Sequence, residues 1–193
     1  MGFRSGITVI CLMLSCVATE VRAGPWGVAQ LMEALAARHS GRAEFVERKY
    51  VSILTEPVES SGELTFVKPD RLEKRTVRPV SERLVLEGDR LSLERGGERR
   101  SAGLDEYPEI AALVGSIRSI LLGDRIALEK LYRLSLNGDA GRWTLLLVPS
   151  TPAVAERVAY LRIGGFDGKV DRVEIHLPGG DYSVMSIREI AQR

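Results

Sequence analysis

From residue 43 onward, apolar and polar positions alternate in short runs broken by glycine, proline and aspartate, the period-2 signature of half-buried strands. The clearest run is Gly62-Glu63-Leu64-Thr65-Phe66-Val67. Leu64 and Phe66 share one face, while Glu63, Thr65 and Val67 share the other. Pro69 then removes a ladder donor and Asp70 favours a turn, so the strand ends there. The same pattern predicts strands over residues 43–54, 62–68, 72–78, 82–87 and 90–94, and a short one ending near Leu104. A second series runs over residues 131–136, 142–148, 157–163, 170–177 and 181–187. Gly88-Asp89, Gly96-Gly97, Asn137-Gly138, Asp167-Gly168 and Gly179-Gly180 are the expected tight turns, and such turns join antiparallel neighbours.

Two stretches change period. In residues 26–39, Leu31, Met32, Leu35 and Ala36 recur at helical spacing, and Gly41 is placed to end the helix. Over Pro108–Leu122, Ile110, Leu113, Val114, Ile117 and Leu121 form one apolar stripe, with Pro108 at the first turn and Gly123 after the last. Residues 124–130 fit a shorter helix. About eleven antiparallel strands cannot lie flat, because twist accumulates from strand to strand. The apolar helix stripes need a partner, and the concave face of a curved sheet offers one. Residues 24–193 suit a single domain, large enough to bury about 70% of its unfolded surface.

Residues 1–23 read as an export signal. Arg4 is the positive n-region, residues 7–17 are the apolar segment, and Val21-Arg22-Ala23 is the cleavage site. The apolar run falls short of the roughly 20 residues a membrane helix needs. A rival reading is lipidation at Cys16 in Leu14-Ser15-Cys16. Cys11 and Cys16 both lie in this segment, so a chain cleaved after Ala23 has no disulfide or thiolate chemistry. Such a chain carries near-zero net charge, which argues against a nucleic-acid partner.

The catalytic inventory is thin. His39 and His176 are far apart, with no carboxylate or cysteine at ligand spacing around either, and no nucleophile elbow or phosphate loop occurs. His39 suits a helix C-terminus, and His176 the polar face of a strand. Glu44 and Glu47, Asp105 and Glu106, and Asp171 and Glu174 read as solvated pairs rather than acid–base couples. Arg95, Arg99 and Arg100 read as protection of a sheet edge or as a docking patch. No catalytic residue, metal site or cofactor is therefore expected, and the chain is read as a non-enzyme. Leu64, Phe66, Leu72, Leu84, Leu86, Leu91 and Leu93 form one apolar half-sheet. Leu145, Leu147, Leu161, Ile163, Val173, Ile175 and Ile187 form the other. The pattern is the same for a filled core as for a cavity lined by the same side chains.

Leu31 and Leu35 of the first helix, Phe45 in Phe45-Val46-Glu47-Arg48-Lys49, Gly62-Glu63-Leu64, Lys68-Pro69-Asp70, Pro79 and Glu87-Gly88-Asp89 occur in the order and spacing of a known family. The chain resembles the LolA family of periplasmic lipoprotein carriers, as a divergent, short member. The resemblance implies a mainly β fold, an open, incomplete antiparallel barrel of about eleven strands lidded by helices. It implies an apolar cavity, for which Phe45, Leu64, Phe66, Leu84, Leu86, Leu145, Leu147, Leu161 and Ile175 are the candidate ligand-binding residues. Ile110, Leu113, Val114, Ile117 and Leu121 are the candidate lid. Lys68 stands where the family's carriers use an arginine to hold the lid closed through lid backbone, and lysine keeps the charge without the planar fork. Lys74 replaces an aromatic often found in the third strand, and the chain ends at Arg193 without the carrier's long C-terminal extension. The implied function is a monomeric periplasmic chaperone for transport. It shields the acyl chains of a lipoprotein or of another lipid, such as an aryl-polyene or glycolipid product. It would pass them from an inner-membrane donor to an outer-membrane acceptor. The alternative is a lipid- or lipoprotein-sensing module that regulates a membrane partner.

Overall fold

The computed structural model describes residues 26–190, with the side chains of residues 108–110 outside that description. The export signal, the cleavage after Ala23 and Cys16 lie outside the described residues. Helix α1 (Val28–Ala36) buries Leu31, Met32 and Leu35, and Gln30 accepts a hydrogen bond from the Gly27 N–H at 3.1 Å to close its first turn. It ends at Ala37 in ordinary right-handed geometry, ahead of Gly41, which lies within the first strand opposite Phe66.

Eleven antiparallel strands form one sheet. The first meander is β1 (Ser40–Tyr50), β2 (Val58–Val67), β3 (Arg71–Arg78), β4 (Glu82–Glu87), β5 (Arg90–Arg95) and β6 (Glu98–Gly103). A 3₁₀ turn over Leu104–Glu106 leads to α2 (Pro108–Leu122) and α3 (Arg125–Leu131). The second meander is β7 (Tyr132–Asp139), β8 (Arg142–Pro149), the single turn α4 (Pro152–Ala155), β9 (Tyr160–Phe166), β10 (Lys169–His176) and β11 (Tyr182–Glu189). Strand order is β6-β5-β4-β3-β2-β1-β11-β10-β9-β8-β7, so β1 and β11 join the meanders at the centre. The arginine-rich β6 is one outer edge, which fits the edge-protection reading of Arg99 and Arg100, and β7 is the other. The barrel is therefore open, and α2 with α3 carries the chain from one edge to the other.

Register assigns the faces. Phe45 lies opposite both Gly62 and Ile187, and Leu64 opposite both Ala43 and Lys74, which puts these side chains on the concave side. Gly62 is where β2 bulges against β3, and a Cβ there would lie 1.9 Å from the Arg75 carbonyl oxygen, so only glycine fits. On the convex side, the rings of Tyr50, Tyr182, His176 and Tyr160 stack in one row across four strands, at centroid distances of 4.4, 5.0 and 4.0 Å. His176 thus faces outward as expected, but as part of an aromatic ladder. Glu174 differs from the solvated reading. It is buried, with Arg172 Nε at 2.7 Å and Arg162 Nη1 at 3.0 Å. Burial alone would raise its pKa, yet the bond from Arg172 and the nearby guanidinium charges of Arg172 and Arg162 hold it below the usual carboxylate range.

One hairpin turns later than its sequence suggests. Asn137-Gly138 remains in β7, with Gly138 opposite Trp143, and the turn falls at Ala140-Gly141. Asp139 Oδ1 accepts from the backbone of Gly141 at 2.9 Å and of Arg142 at 3.1 Å, which fixes the later turn.

Candidate functional site

The two halves of the concave face are used differently. Over β7, β8 and β9 the space is filled. Leu31, Met32 and Leu35 of α1, Ile120 of α2 and Leu128 of α3 pack against Tyr132, Trp143, Leu145, Leu147, Leu161 and Ile163. Tyr132 hydroxyl and Ser116 Oγ meet at 2.8 Å inside this core, and the Ser116 hydroxyl also donates to the Ala112 carbonyl. Trp143 donates from Nε1 to the Asp167 carbonyl at 2.8 Å.

Over β2 to β5 the space is open. A cavity of about 320 Å³ lies between this half-sheet and one side of α2, within the range of small-molecule sites. Leu64, Phe66, Leu72, Leu84, Leu86 and Leu91 supply one wall. Val114, Ile117, Ile120 and Leu121 of α2 roof it, and Val173, Ile175, Met185 and Ile187 close the third side. Among the candidate ligand-binding residues, Leu64, Phe66, Leu84, Leu86 and Ile175 therefore stand on the cavity wall. Leu145, Leu147 and Leu161 do not. They are almost wholly buried in the filled half, because α1 lies over them. Phe45 is also buried, with the ammonium of Lys74 4.9 Å from its ring centroid and Lys74 in turn paired with Glu47. Lys74, unlike Phe45, reaches the cavity wall.

In the candidate lid, Val114, Ile117 and Leu121 face the cavity, whereas Leu113 packs against the filled core. The Ile110 side chain lies outside the described residues. Lys68 donates from Nζ to the Ala36 carbonyl, so it holds the C-terminus of α1 and not the lid α2. The reason is local. The Lys68 backbone N–H donates to the His39 carbonyl at 2.9 Å, which sets its side chain beside the last turn of α1, where the Ala36 carbonyl lies beyond the helix's own ladder. Besides the Ser116–Tyr132 contact to β7, Arg118 ties α2 to the first meander. Its guanidinium donates to the Gly88 carbonyl and lies 3.4 Å from Asp89 Oδ1, reaching the β4–β5 turn. The only trace of this latch in the sequence is the single arginine of α2.

Substitution separates the roles of the two cations. Arg118→Leu should cost about 1–2 kcal/mol of stability. It should also raise amide hydrogen exchange over residues 111–122, while Lys68→Leu raises exchange only at the end of α1. Greater loosening of α2 by Lys68→Leu than by Arg118→Leu would return the lid contact to Lys68.

A polar vestibule of about 760 Å³ shares part of the cavity's lining, and its own lining includes Arg38, Arg42, Lys169, Arg188, Asp171 and Glu189. Glu189 ends β11 and pairs with Arg38 and, at 3.1 Å, with Lys169 Nζ. Partial burial would raise its pKa, but the bonds from Lys169 and Arg38 outweigh that and hold it low. Among the described residues, no group of three or more His, Cys, Asp or Glu is placed to hold a metal, and no helix is long and apolar enough to cross a membrane.

An open eleven-stranded barrel with a helix-roofed apolar cavity is the architecture that the sequence resemblance implies. The family model described as outer membrane lipoprotein carrier protein LolA-like matches residues 22–186. The chain belongs to this LolA-like family. A DUF1329 family protein from Desulfovibrio piger superposes with a TM-score of 0.50 at 12% identity, over 86% of this chain and 92% of that one. A LolA superfamily protein from Nitrosomonas europaea gives a TM-score of 0.46 at 8% identity, over 84% and 93%. The Mycobacterium tuberculosis lipoprotein LppX gives 0.46 at 11% identity, over 83% and 90%. None of the curated proteins matches by sequence.

Proposed function

We propose that this LolA-like protein binds acyl chains of a lipid or lipoprotein in the cavity under α2, and carries them through an extracytoplasmic space toward the outer membrane. The observation that carries the reading is the apolar cavity on one half of the sheet, beside an equally apolar half that is fully packed. A fold that filled one half with α1 leaves the other for something outside the chain. Each buried methylene contributes about 0.8 kcal/mol, so roughly ten give a gross 8 kcal/mol. Against an association cost at the low end, about 4 kcal/mol, some 4 kcal/mol remains, a weak and readily reversible affinity that each further methylene raises. Donor and acceptor proteins at the two membranes are the partners this role requires.

The test is uptake of an apolar fluorescent probe and its displacement by long-chain acyl compounds. Wild-type protein should take up the probe. Phe66→Glu should weaken uptake at least about tenfold while a cooperative melt is retained, since a carboxylate on an apolar wall repels the chain. Absence of uptake by folded wild-type protein would overturn the reading.

A further inference from the structure

The acyl cavity and the vestibule adjoin, with Arg38, Gly41, Arg42, Lys169, Val170, Ile187 and Glu189 lining both. The ion pairs around the vestibule are not evenly balanced. Arg42 Nη2 is matched by Glu63 at 2.7 Å, Arg188 by Glu44, and Asp171 by Arg142. Arg38 and Lys169 share the one carboxylate of Glu189, which leaves a surplus positive charge where the apolar lining ends. Glu189 is itself a carboxylate on the cavity-facing side of β11, opposite Ala43. It sits between a guanidinium and an ammonium, where a chain lying in the cavity would bring its own polar end. An acidic headgroup there would exchange one carboxylate for another without breaking any other pair.

We propose that the cavity's ligand is an anionic amphiphile, a single acyl or alkyl chain ending in a carboxylate or phosphate, which docks between Arg38 and Lys169 in place of Glu189. The proposal rests on the acyl-binding reading and narrows it, since neutral lipids gain nothing from the two cations. Glu189 then acts as an internal stand-in that keeps the cations paired while the cavity is empty. Swinging aside, it leaves a bidentate fork and a point charge for the incoming anion.

Dodecanoate, dodecyl phosphate, dodecan-1-ol and inorganic phosphate, each titrated into the full chain at neutral pH and low salt, decide the matter. The two amphiphilic acids should bind about tenfold or more tightly than the alcohol, a preference that shrinks as salt rises. Arg38→Gln and Lys169→Gln should each narrow the ratio of acid to alcohol affinity, and Glu189→Gln should widen it. Equal binding of acid and alcohol would overturn the headgroup site and leave the acyl cavity standing. Inorganic phosphate binding as tightly as dodecyl phosphate would overturn it too, by making the vestibule a free-anion site. Failure of all three amphiphiles would overturn the acyl-cavity reading itself. Melting temperatures of the three variants near that of wild type ensure that the ratios report binding.

Discussion

Leu147→Ala should destabilise the protein by about 2–5 kcal/mol, whereas Leu64→Ala should cost about 1.5 kcal/mol or less. Both residues are strand leucines on the concave face, separated only by what lies over them. Leu147 has no exposed surface and packs in the core covered by α1, so truncation leaves a void that a close-packed interior cannot fill. Leu64 already borders open space, so truncation enlarges an existing cavity and removes fewer contacts. Urea denaturation of the two variants measures the difference directly through their midpoints. Equal losses would mean that the half of the sheet over β2 to β5 is as tightly filled as the half under α1.

A second large effect is expected at Gly123. This residue ends α2 in the left-handed region at φ 69°, and its N–H donates to the Ile120 carbonyl at 3.0 Å. A Cβ there would also lie 2.2 Å from the Met32 carbonyl oxygen and 2.8 Å from the Ala36 Cβ of α1. Gly123→Ala therefore adds a conformational cost of about 1–2 kcal/mol to a backbone collision that separates the two helices. The expected total is about 3 kcal/mol or more, read as a fall in melting temperature of roughly 6–12 °C for a domain of this size. Gly115, also in α2, has open space within 4 Å of where its Cβ would stand, so Gly115→Ala serves as the control and should be neutral or mildly stabilising. A Gly123→Ala protein as stable as that control would mean that the lid does not hang on a close helix crossing.

These contrasts also mark where sequence reasoning stops. Helix α2 has the limits its sequence implies, because Pro108 and Gly123 encode its ends by local chemistry. Strand β4 and the Gly88-Asp89 turn are local in the same way. The single-turn α4 was not legible, since four residues carry no helical period. Gly41 read as a helix end because its spacing suited one, and only pairing with Phe66 makes it a strand residue. The division between core and cavity was beyond reach for a deeper reason. Leu145 and Leu64 carry the same alternation, and what separates them is the placement of α1, a long-range outcome. Lys68 illustrates the point in miniature. Its role as a donor to helix backbone was readable, but which helix it serves depends on where α1 ends.

The pairing of β1 with β11 has a consequence for how this fold is reached. The central joint of the sheet links positions as far apart as Glu44 and Arg188, 144 residues along the chain, while the outer edges are joined by neighbouring segments. Each meander can zip from its own hairpins, but neither acquires its inner neighbour until the last strand has been made. Contacts so distant in sequence close slowly, because the loop entropy is lost before the pairing is gained. A ribosome-bound chain would therefore hold two half-sheets, each with an unprotected inner edge. Until synthesis is complete, keeping those edges apart from other strands falls to whatever escorts the chain.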